Sequence, residues 1–267
     1  MPTDKPFDFA NILFAGPCNL RCPYCIGRQV DPTLNRNNLA EYPPKNLARL
    51  VALMHRHRIT ELIFTGTTTD PQLYRHEARL LGHLRRVLPP DVRFSLHTNG
   101  RLALQKMDEF NQYQRVTVSF PSFNPATYRK LMGVGSPPDL AEIVRRARVP
   151  VKVSAVLTPA NAVEFDEFLA RCRDIGIKRL VYRQLHGHTR RWPMFRQLAQ
   201  TGSYRDNPIY DYRGMEVTFW DFQHTTSRSL NLFSNGVISP HYRLTDGGGA
   251  GVRPGETHHP QLAGRTV

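Results

Sequence analysis

The stretch AGPCNLRCPYC, residues 15–25, holds three of the four cysteines of this 267-residue chain. Cys18, Cys22 and Cys25 follow the pattern CxxxCxxC. Thiolates this close on one loop can converge on a single metal centre, and soft sulfur ligands favour iron–sulfur clusters or zinc. Three ligands are one fewer than the usual four, so this spacing predicts a metal site that is either completed from elsewhere or left open.

These cysteines, with Tyr24 directly before the last of them, resemble the cluster motif of the radical S-adenosylmethionine (radical SAM) superfamily. The resemblance implies a [4Fe–4S] cluster held by Cys18, Cys22 and Cys25, with the fourth iron chelated by the amino and carboxylate groups of SAM. The alternative is a structural zinc site completed by Cys172 or a histidine. Structural zinc loops usually come as two paired knuckles, and this sequence has no second one.

Bulk properties limit where the protein works. No run of about 18 apolar residues is present, so we expect no membrane-spanning segment and no membrane partner. Residues 1–8 carry no apolar signal region, which argues against secretion. Clustered cysteines indicate a metal site in a reducing compartment rather than a disulfide framework. Together these features predict a cytoplasmic protein.

The formal net charge of +14 is the strongest compositional feature. It would suit a nucleic acid or another anionic partner. The basic residues are nevertheless scattered along the predicted helices, without a concentrated block. A solvated basic surface is therefore the favoured interpretation, and a nucleic-acid partner is the less favoured one.

Strands and helices alternate along the first two thirds of the chain. Apolar runs predict six strands, separated by segments of mostly helical periodicity, which indicates βαβ units and a parallel sheet. The resemblance implies a partial (β/α)6 barrel, and a doubly wound open sheet is the rival α/β architecture. Both place ligands at the carboxyl ends of the strands, where the cysteine loop lies. The predicted strands are 9–15, 61–65, 92–96, 115–120, 151–157 and 179–184, and the predicted helices are 43–58, 72–87, 102–110, 139–148 and 162–175.

The pattern changes after residue 185, which divides the chain into three predicted parts. Residues 1–185 form the core, 186–246 an extension that closes the barrel and contributes to the substrate site, and 247–267 a flexible tail. Residues 186–211 are predicted to be loop with one helical turn, followed by extended segments. Asn235-Gly236 between two such segments predicts a hairpin.

The sequence TGTTTDP, residues 65–71, follows the second strand at the place where radical SAM enzymes usually carry Gly-Gly-Glu-Pro. That motif binds the amino group of SAM, but here the second glycine and the glutamate are replaced. Hydroxyls and a carboxylate can still accept hydrogen bonds from an ammonium. Asp70 before Pro71 is also a common helix N-cap, and both roles can hold together. The candidate cofactor-binding residues in this turn are Gly66, Thr67, Thr68, Thr69 and Asp70.

Further cofactor contacts follow from the same resemblance, in the branch that contains the molybdenum-cofactor cyclase and peptide maturases. Thr98 and Ser119 are expected near the methionine end of SAM, Ser154 near the ribose, and the Tyr24 carbonyl near the adenine. Arg183 inside a barrel would need either a bound carboxylate or an Asp or Glu partner. Leu185 at the end of the sixth strand completes the cofactor set. Cys172, alone in a helix, is predicted to be a buried small residue, so no auxiliary cluster is expected.

The resemblance implies an enzyme that receives an electron from a donor such as flavodoxin or ferredoxin and forms a 5′-deoxyadenosyl radical. We expect this radical to abstract hydrogen from a polar, anionic small molecule or nucleotide-like substrate. The alternatives are a peptide-modifying enzyme acting on a ribosomal precursor and a non-catalytic metal- or nucleic-acid-binding protein. Candidate substrate residues combine aromatic, basic and hydrogen-bonding groups, although each taken singly also suits a surface position. They are His186, Arg190, Arg191, Trp192, Trp220, His224 and Asn231.

Overall fold

The computed structural model describes residues 6–242, in which eleven strands form one sheet of order β11-β10-β1-β2-β3-β4-β5-β6-β9-β8-β7. The strands are β1 (Phe9–Phe14), β2 (Glu61–Gly66), β3 (Arg93–Thr98), β4 (Arg115–Ser119), β5 (Val151–Leu157), β6 (Arg179–Gln184), β7 (Ala199–Tyr204), β8 (Asn207–Tyr212), β9 (Met215–Trp220), β10 (Ser229–Leu232) and β11 (Ile238–Ser239).

The six predicted strands are confirmed as β1 to β6, which pair in chain order and all in parallel. A doubly wound sheet would reverse the strand order at a switch point. No such reversal separates β1 from β6, so the architecture is that of a partial barrel. The sheet remains open, with β11 and β7 at its two edges.

The segment after residue 185 adds strands to both sides of this core. β9 pairs with β6 in parallel and β10 pairs with β1 in parallel, so eight neighbouring strands of the described chain run in one direction. The predicted Asn235-Gly236 hairpin is confirmed between β10 and β11. Because one sheet runs through both parts, the boundary at residue 185 stays a prediction.

The prediction of a loop over residues 186–211 is wrong in part. The single helical turn exists at Pro193–Gln197, but β7 and β8 form an antiparallel hairpin that continues the sheet beyond β9. Every residue of β7 is exposed. A strand with no buried face lacks the apolar alternation from which strands are recognised, which explains why the sequence pattern missed it.

The helices cover one side of the sheet. Several are shorter than predicted: the segment 102–110 is helical only at its end, and the predicted helix 162–175 is α7, preceded by the separate short helix α6. One helix, α4, had not been predicted. The helices are α1 (Leu47–Arg56), α2 (Glu77–Val87), α3 (Met107–Phe110), α4 (Pro125–Met132), α5 (Leu140–Arg146), α6 (Pro159–Ala162) and α7 (Phe165–Asp174).

Two groups of buried apolar side chains define the faces of the sheet. The larger one fills the space between the strands and the helices and includes Val153 and Ala155 of β5. The smaller one lies on the opposite, inner face and contains Leu13, Val30, Leu34 and Phe233. Side chains alternate between the two faces of a strand. The residues directly before and after a strand residue of the larger core therefore face the barrel interior.

The predicted tail, 247–267, and residues 243–246 of the predicted extension lie outside the described residues. Within residues 6–242, no helix combines the length and apolar character needed to cross a membrane.

Candidate active site

The cysteine loop follows β1 and holds its three thiols within reach of separate acceptors. The Cys18 sulfur lies 3.7 Å from Asn19 Oδ1, the Cys22 sulfur 3.8 Å from the Met132 carbonyl oxygen, and the Cys25 sulfur 3.6 Å from the Thr67 carbonyl oxygen. In this conformation no three Cys, His, Asp or Glu side chains of the described chain are arranged as a formed metal site. Shared coordination therefore requires the thiols to turn from these acceptors to a common centre.

The electrostatics of the loop favour a bound cation. Burial, with smaller contributions from the neighbouring Cys25 and Cys18 sulfurs, raises the pKa of Cys22 to about 12. Burial also raises the pKa of Cys18, with a smaller contribution from Asp70. Thiols crowded in this way ionise readily only when a metal compensates their charge, because metal-bound thiols lose their protons. Three soft sulfur donors on one loop fit a [4Fe–4S] cluster with one iron left open.

Cys172 cannot complete the set from its position. It lies on α7 within the larger core and is fully buried among apolar side chains. Burial raises the pKa of its thiol well above the ordinary range. The prediction that Cys172 is a buried small residue is confirmed.

The threonine-rich turn after β2 fastens the start of the cysteine loop. The Thr69 hydroxyl donates a 2.6 Å hydrogen bond to the Pro17 carbonyl. The hydroxyls of Thr67 and Thr68 donate to the carbonyls of Phe14 and Gly16, at 3.2 and 3.4 Å. Each hydroxyl proton is thus used within the protein, while lone pairs remain that can accept from an ammonium.

Two glycines allow close backbone packing at this turn, Gly66 within the turn itself and Gly27 between the turn and the segment that follows Cys25. A Cβ on Gly66 would lie 1.7 Å from the Thr69 carbonyl oxygen. A Cβ on Gly27 would lie 2.0 Å from the Thr67 carbonyl oxygen. Neither distance leaves room for a side chain, so both positions require glycine.

Asp70 connects the ends of β2 and β3. Its carboxylate accepts hydrogen bonds from the Gln72 N–H at 2.9 Å, the Asn99 N–H at 2.6 Å and the Thr98 hydroxyl at 2.9 Å. Burial raises the pKa of Asp70, while these three donors oppose the shift. The predicted N-cap role is confirmed, because Asp70 caps the 3₁₀ turn Pro71–Leu73. Its contact with the SAM ammonium, like that of Thr98 with the methionine end, stays a prediction.

The barrel interior carries a group of cations. Lys152 and Ser154 on β5 and Arg183 on β6 share the inner face, and Arg183 Nε donates a 2.9 Å hydrogen bond to Ser154 Oγ. Burial lowers the pKa of Lys152 to about 7, with Arg183 as the next largest cause. Burial also lowers the pKa of Arg183. His97 of β3 has its pKa lowered by burial and then by Lys152 and Arg183.

Two further arginines nearby are neutralised. Arg115 pairs with Glu61, and Arg179 pairs with Glu216 at 2.9 Å. Among residues 6–242, neither Lys152 nor Arg183 has an ion-pair partner. The alternative of an internal Asp or Glu partner for Arg183 is therefore wrong within the described residues, and two unbalanced cations face the same interior.

Residues 12–172 match the family model described as the radical SAM superfamily. The chain belongs to the radical SAM superfamily. Members of this family are enzymes that use a [4Fe–4S] cluster and SAM.

Curated relatives share part of the sequence. The chain is 30% identical over 202 residues to the GTP 3',8-cyclase of Acidothermus cellulolyticus. The matched region covers 70% of this chain and 54% of that enzyme. It is 28% identical over 176 residues to the GTP 3',8-cyclase of Mycolicibacterium smegmatis, covering 63% of this chain and 47% of the relative. The radical SAM protein thus spans about half the length of the curated relatives that it matches.

Solved structures agree on the fold. Streptococcus suis SuiB bound to the precursor peptide SuiA superposes with a TM-score of 0.63 at 13% identity, over 88% of this chain and 60% of that chain. SuiB bound to S-adenosylmethionine gives 0.61 at 15% identity, over 88% and 60%. At this identity the likeness shows the fold alone.

The remaining predicted cofactor positions are distributed around the barrel mouth. Ser119 is exposed at the end of β4 and pairs in register with Ser154. The Tyr24 hydroxyl lies 3.7 Å from Met132 Sδ. Leu185 directly follows β6 and is half-buried. The cofactor roles of these residues stay predictions.

Among the predicted substrate residues, Trp220 lies next to Arg183. It faces Arg183 across the β6–β9 pair, and its buried indole N–H has no hydrogen-bond partner within the described chain. Trp192 instead donates to Gln184 at 2.8 Å, with the Arg190 guanidinium 5.0 Å from its ring centroid.

The other candidates lie apart from this group. His224 is exposed beside Asp221, at 3.0 Å. Asn231 is fully buried, accepts from Asn11 at 2.7 Å and donates to the Ser239 carbonyl at 3.2 Å. Arg191 is exposed and His186 is half-buried in the loop after β6. Their substrate roles stay predictions, and the satisfied amide of Asn231 gives it a clear structural role as well.

Lys152 is the residue that the sequence interpretation missed. A signal was available, because Lys152 alternates with the buried Val153 and therefore shares the inner face with Ser154. A lysine at the start of a strand is ordinarily a solvated residue, which hid its position inside the barrel.

Proposed function

We propose that this radical SAM protein removes a hydrogen atom from a polar, anionic small molecule or nucleotide-like substrate bound inside the barrel. The cluster and SAM, when bound, supply a 5′-deoxyadenosyl radical. The cysteine loop would hold the cluster, and the turns after β2 and β3 lie beside that loop, where SAM would bind. The barrel wall opposite them would bind and orient the substrate.

The observation that carries the proposal is the unbalanced pair Lys152 and Arg183. A desolvated cation without a counter-ion is costly, and the lowered pKa values of both groups express that cost. A substrate anion between them would restore the balance. Ser154 fixes the Arg183 guanidinium through Nε and leaves its other donors available to a carboxylate or phosphate.

Trp220 supports the same placement. Its buried N–H lacks an acceptor among residues 6–242, and an unmet buried donor typically costs about 1–3 kcal/mol. An oxygen of a bound substrate would supply that acceptor. Its ring centroid also lies 6.2 Å from that of Phe222, and the Arg183 guanidinium lies 5.5 Å from the Phe222 ring centroid, so aromatic side chains flank this cation.

The relatives make a nucleotide a reasonable first substrate class. GTP, which gives the matched cyclases their name, is an anion of the kind that Lys152 and Arg183 would bind. Since this chain spans about half of those relatives, the substrate of the whole protein is a matter for experiment.

The test is anaerobic turnover of the reconstituted protein with dithionite, SAM and a panel of deuterated nucleotides, phosphorylated small molecules and neutral analogues. We expect deuterium in 5′-deoxyadenosine from an anionic substrate, and loss of this transfer in Lys152→Met and Arg183→Met. Arg196→Met, an exposed arginine outside the barrel, serves as the control. Transfer only from neutral compounds or peptides, or no SAM cleavage by protein with a full complement of iron, would overturn the proposal.

A further inference from the structure

A cavity at the amino ends of β4, β5 and β6 is lined by four basic side chains, and we call it the amino-end cavity. Arg115 is the first residue of β4, Lys152 the second of β5 and Arg179 the first of β6, which Lys178 directly precedes. The rest of the lining is apolar or glycine, with no Asp or Glu. The cavity volume is about 220 Å³, several times the roughly 30 Å³ that a water molecule occupies in the liquid, so a phosphate group fits inside.

The amino-end cavity lies at the opposite end of the sheet from the cysteine loop. β1 to β6 all run in parallel, and the cysteine loop follows the carboxyl end of β1. In TIM barrels, which are closed sheets of parallel strands, active sites lie at the carboxyl ends of the strands. A ligand of the amino-end cavity is therefore a second ligand, separate from the proposed substrate.

The positive charge around the cavity is only partly balanced. Arg115 pairs with Glu61 and Arg179 pairs with Glu216, and neither glutamate lines the cavity. Within the described part of the chain, Lys152 and Lys178 make no ion pair. Four cations and two carboxylates leave two positive charges in excess when both lysines are protonated, which matches the charge of a dianion.

The cations of the cavity are close enough to repel one another. Lys152 and Arg179 are register partners on neighbouring strands, where like charges are unfavourable. Burial lowers the pKa of Arg115, and Arg179 is the next largest cause. Burial and Arg183 lower the pKa of Lys152 most, and Arg179 and Arg115 lower it further. An anion in the cavity would offset this repulsion.

We propose that the amino-end cavity binds a dianionic phosphate group, either as free phosphate or as the phosphoryl group of a small molecule. Arginine offers paired donors to phosphate oxygens and lysine a point charge, so both residue types suit this ligand. Because the cations line a cavity rather than an extended stripe, a small molecule suits them better than a nucleic acid. The inference goes beyond the proposed function, although the two sites meet at Lys152.

The test is a calorimetric titration of inorganic phosphate into the cluster-loaded protein, at an ionic strength held constant with chloride. We expect Lys178→Glu to weaken phosphate binding about tenfold or more, and Lys178→Met to weaken it less. Lys130→Glu is the matched control, because Lys130 is also exposed and lies in the last turn of α4, outside the cavity. The control should change affinity less than about twofold. Repeating the titration with ribose 5-phosphate distinguishes the two sources, since tighter binding than that of phosphate indicates a phosphorylated small molecule.

Arg183→Met separates the amino-end cavity from the proposed substrate site, and phosphate should still bind to this variant. Loss of binding in Arg183→Met with wild-type affinity in Lys178→Glu would place the anion inside the barrel and overturn the inference. No binding of phosphate or ribose 5-phosphate to wild type, or equal affinities in Lys178→Glu and Lys130→Glu, would also overturn it. The same holds for a single-stranded oligonucleotide that binds more tightly than either probe and is weakened by Lys178→Glu. No turnover is measured, so a failure of SAM cleavage would leave this result unaffected.

Discussion

The Thr69 hydroxyl donates a 2.6 Å hydrogen bond to the carbonyl oxygen of Pro17, the residue directly before the first cysteine of the cluster loop. The turn that replaces the family's usual glycine–glutamate sequence therefore holds the start of the cluster loop in place. Thr69, which belongs to a turn that differs from the family's usual sequence, thus has a positioning role.

Thr69→Val should loosen the cluster loop, because valine keeps the shape of threonine but cannot donate to Pro17. We expect unfolding free energy to fall by about 1 kcal/mol, the usual net value of one hydrogen bond. Iron should also be lost faster during anaerobic gel filtration. Thr69→Ser retains the hydroxyl and should behave like wild type. Equal iron retention in the valine and serine variants would show that the hydrogen bond does not position the loop.

Asp70→Asn should reduce stability as well as SAM affinity. An Asn side chain offers one oxygen, whereas the Asp70 carboxylate accepts from Gln72, Asn99 and Thr98 with both. Loss of a hydrogen bond to a charged group costs about 1.5–3 kcal/mol, which a denaturant titration would detect. If Asp70 also contacts the SAM ammonium, calorimetry at a temperature where the variant is folded should show about tenfold or greater weakening of SAM binding. If Asp70→Asn is as stable as wild type, Asp70 does not have the proposed connecting role between β2 and β3.

Lys152→Met should stabilise the protein, and the gain should depend on pH. The pKa of Lys152 is about 7 in the folded chain and about 10.4 when unfolded, so the unfolded state binds more protons between these values. Wild-type stability relative to the variant therefore rises as pH increases from 7, and the advantage of Met is largest below pH 7. The charged groups acting on Lys152 are Arg183, Arg179, Arg115 and Glu216, and Lys152 in turn acts on His97.

Denaturant titrations of wild type, Lys152→Met and the control Lys178→Met from pH 6 to pH 9 check this expectation. Lys178 is exposed and lies near the amino end of β6, so its variant should track wild type. If the difference in unfolding free energy between Lys152→Met and wild type stays constant with pH, Lys152 titrates like a solvated lysine. That result would remove the electrostatic support for an anion inside the barrel.

The parts of the fold that the sequence predicts are those with a buried face. β1 to β6 have apolar runs because one side of each strand meets the helices, and their order follows from the βα alternation. β7 lacks that signal, since all its residues are exposed. Local signals mark the ends of α4, the helix that the apolar pattern did not predict. Asn124 caps it, Pro125 occupies its first turn, and Gly133 ends it with a φ of 80°.

The candidate site also contains residues that the sequence identifies and contacts that only the folded structure shows. Cys18, Cys22 and Cys25 are close in sequence, so a local motif is enough to identify them. The contacts of Thr69 with Pro17 and of Met132 with Cys22 join residues 52 and 110 positions apart, and no pattern along the chain encodes them. Whether Arg183 had a carboxylate partner could only be decided from the neighbouring strands.

The central claim is that three cysteines, and not four, hold a cluster whose open iron binds SAM. It is tested most directly by iron content and 5′-deoxyadenosine formation in the anaerobically reconstituted single variants Cys18→Ala, Cys22→Ala, Cys25→Ala and Cys172→Ala, with dithionite as reductant. The account predicts that each of the first three variants loses SAM cleavage, while Cys172→Ala keeps about four irons and wild-type cleavage. Loss of iron in Cys172→Ala as complete as in Cys22→Ala, or a colourless wild-type protein that binds zinc, would contradict it.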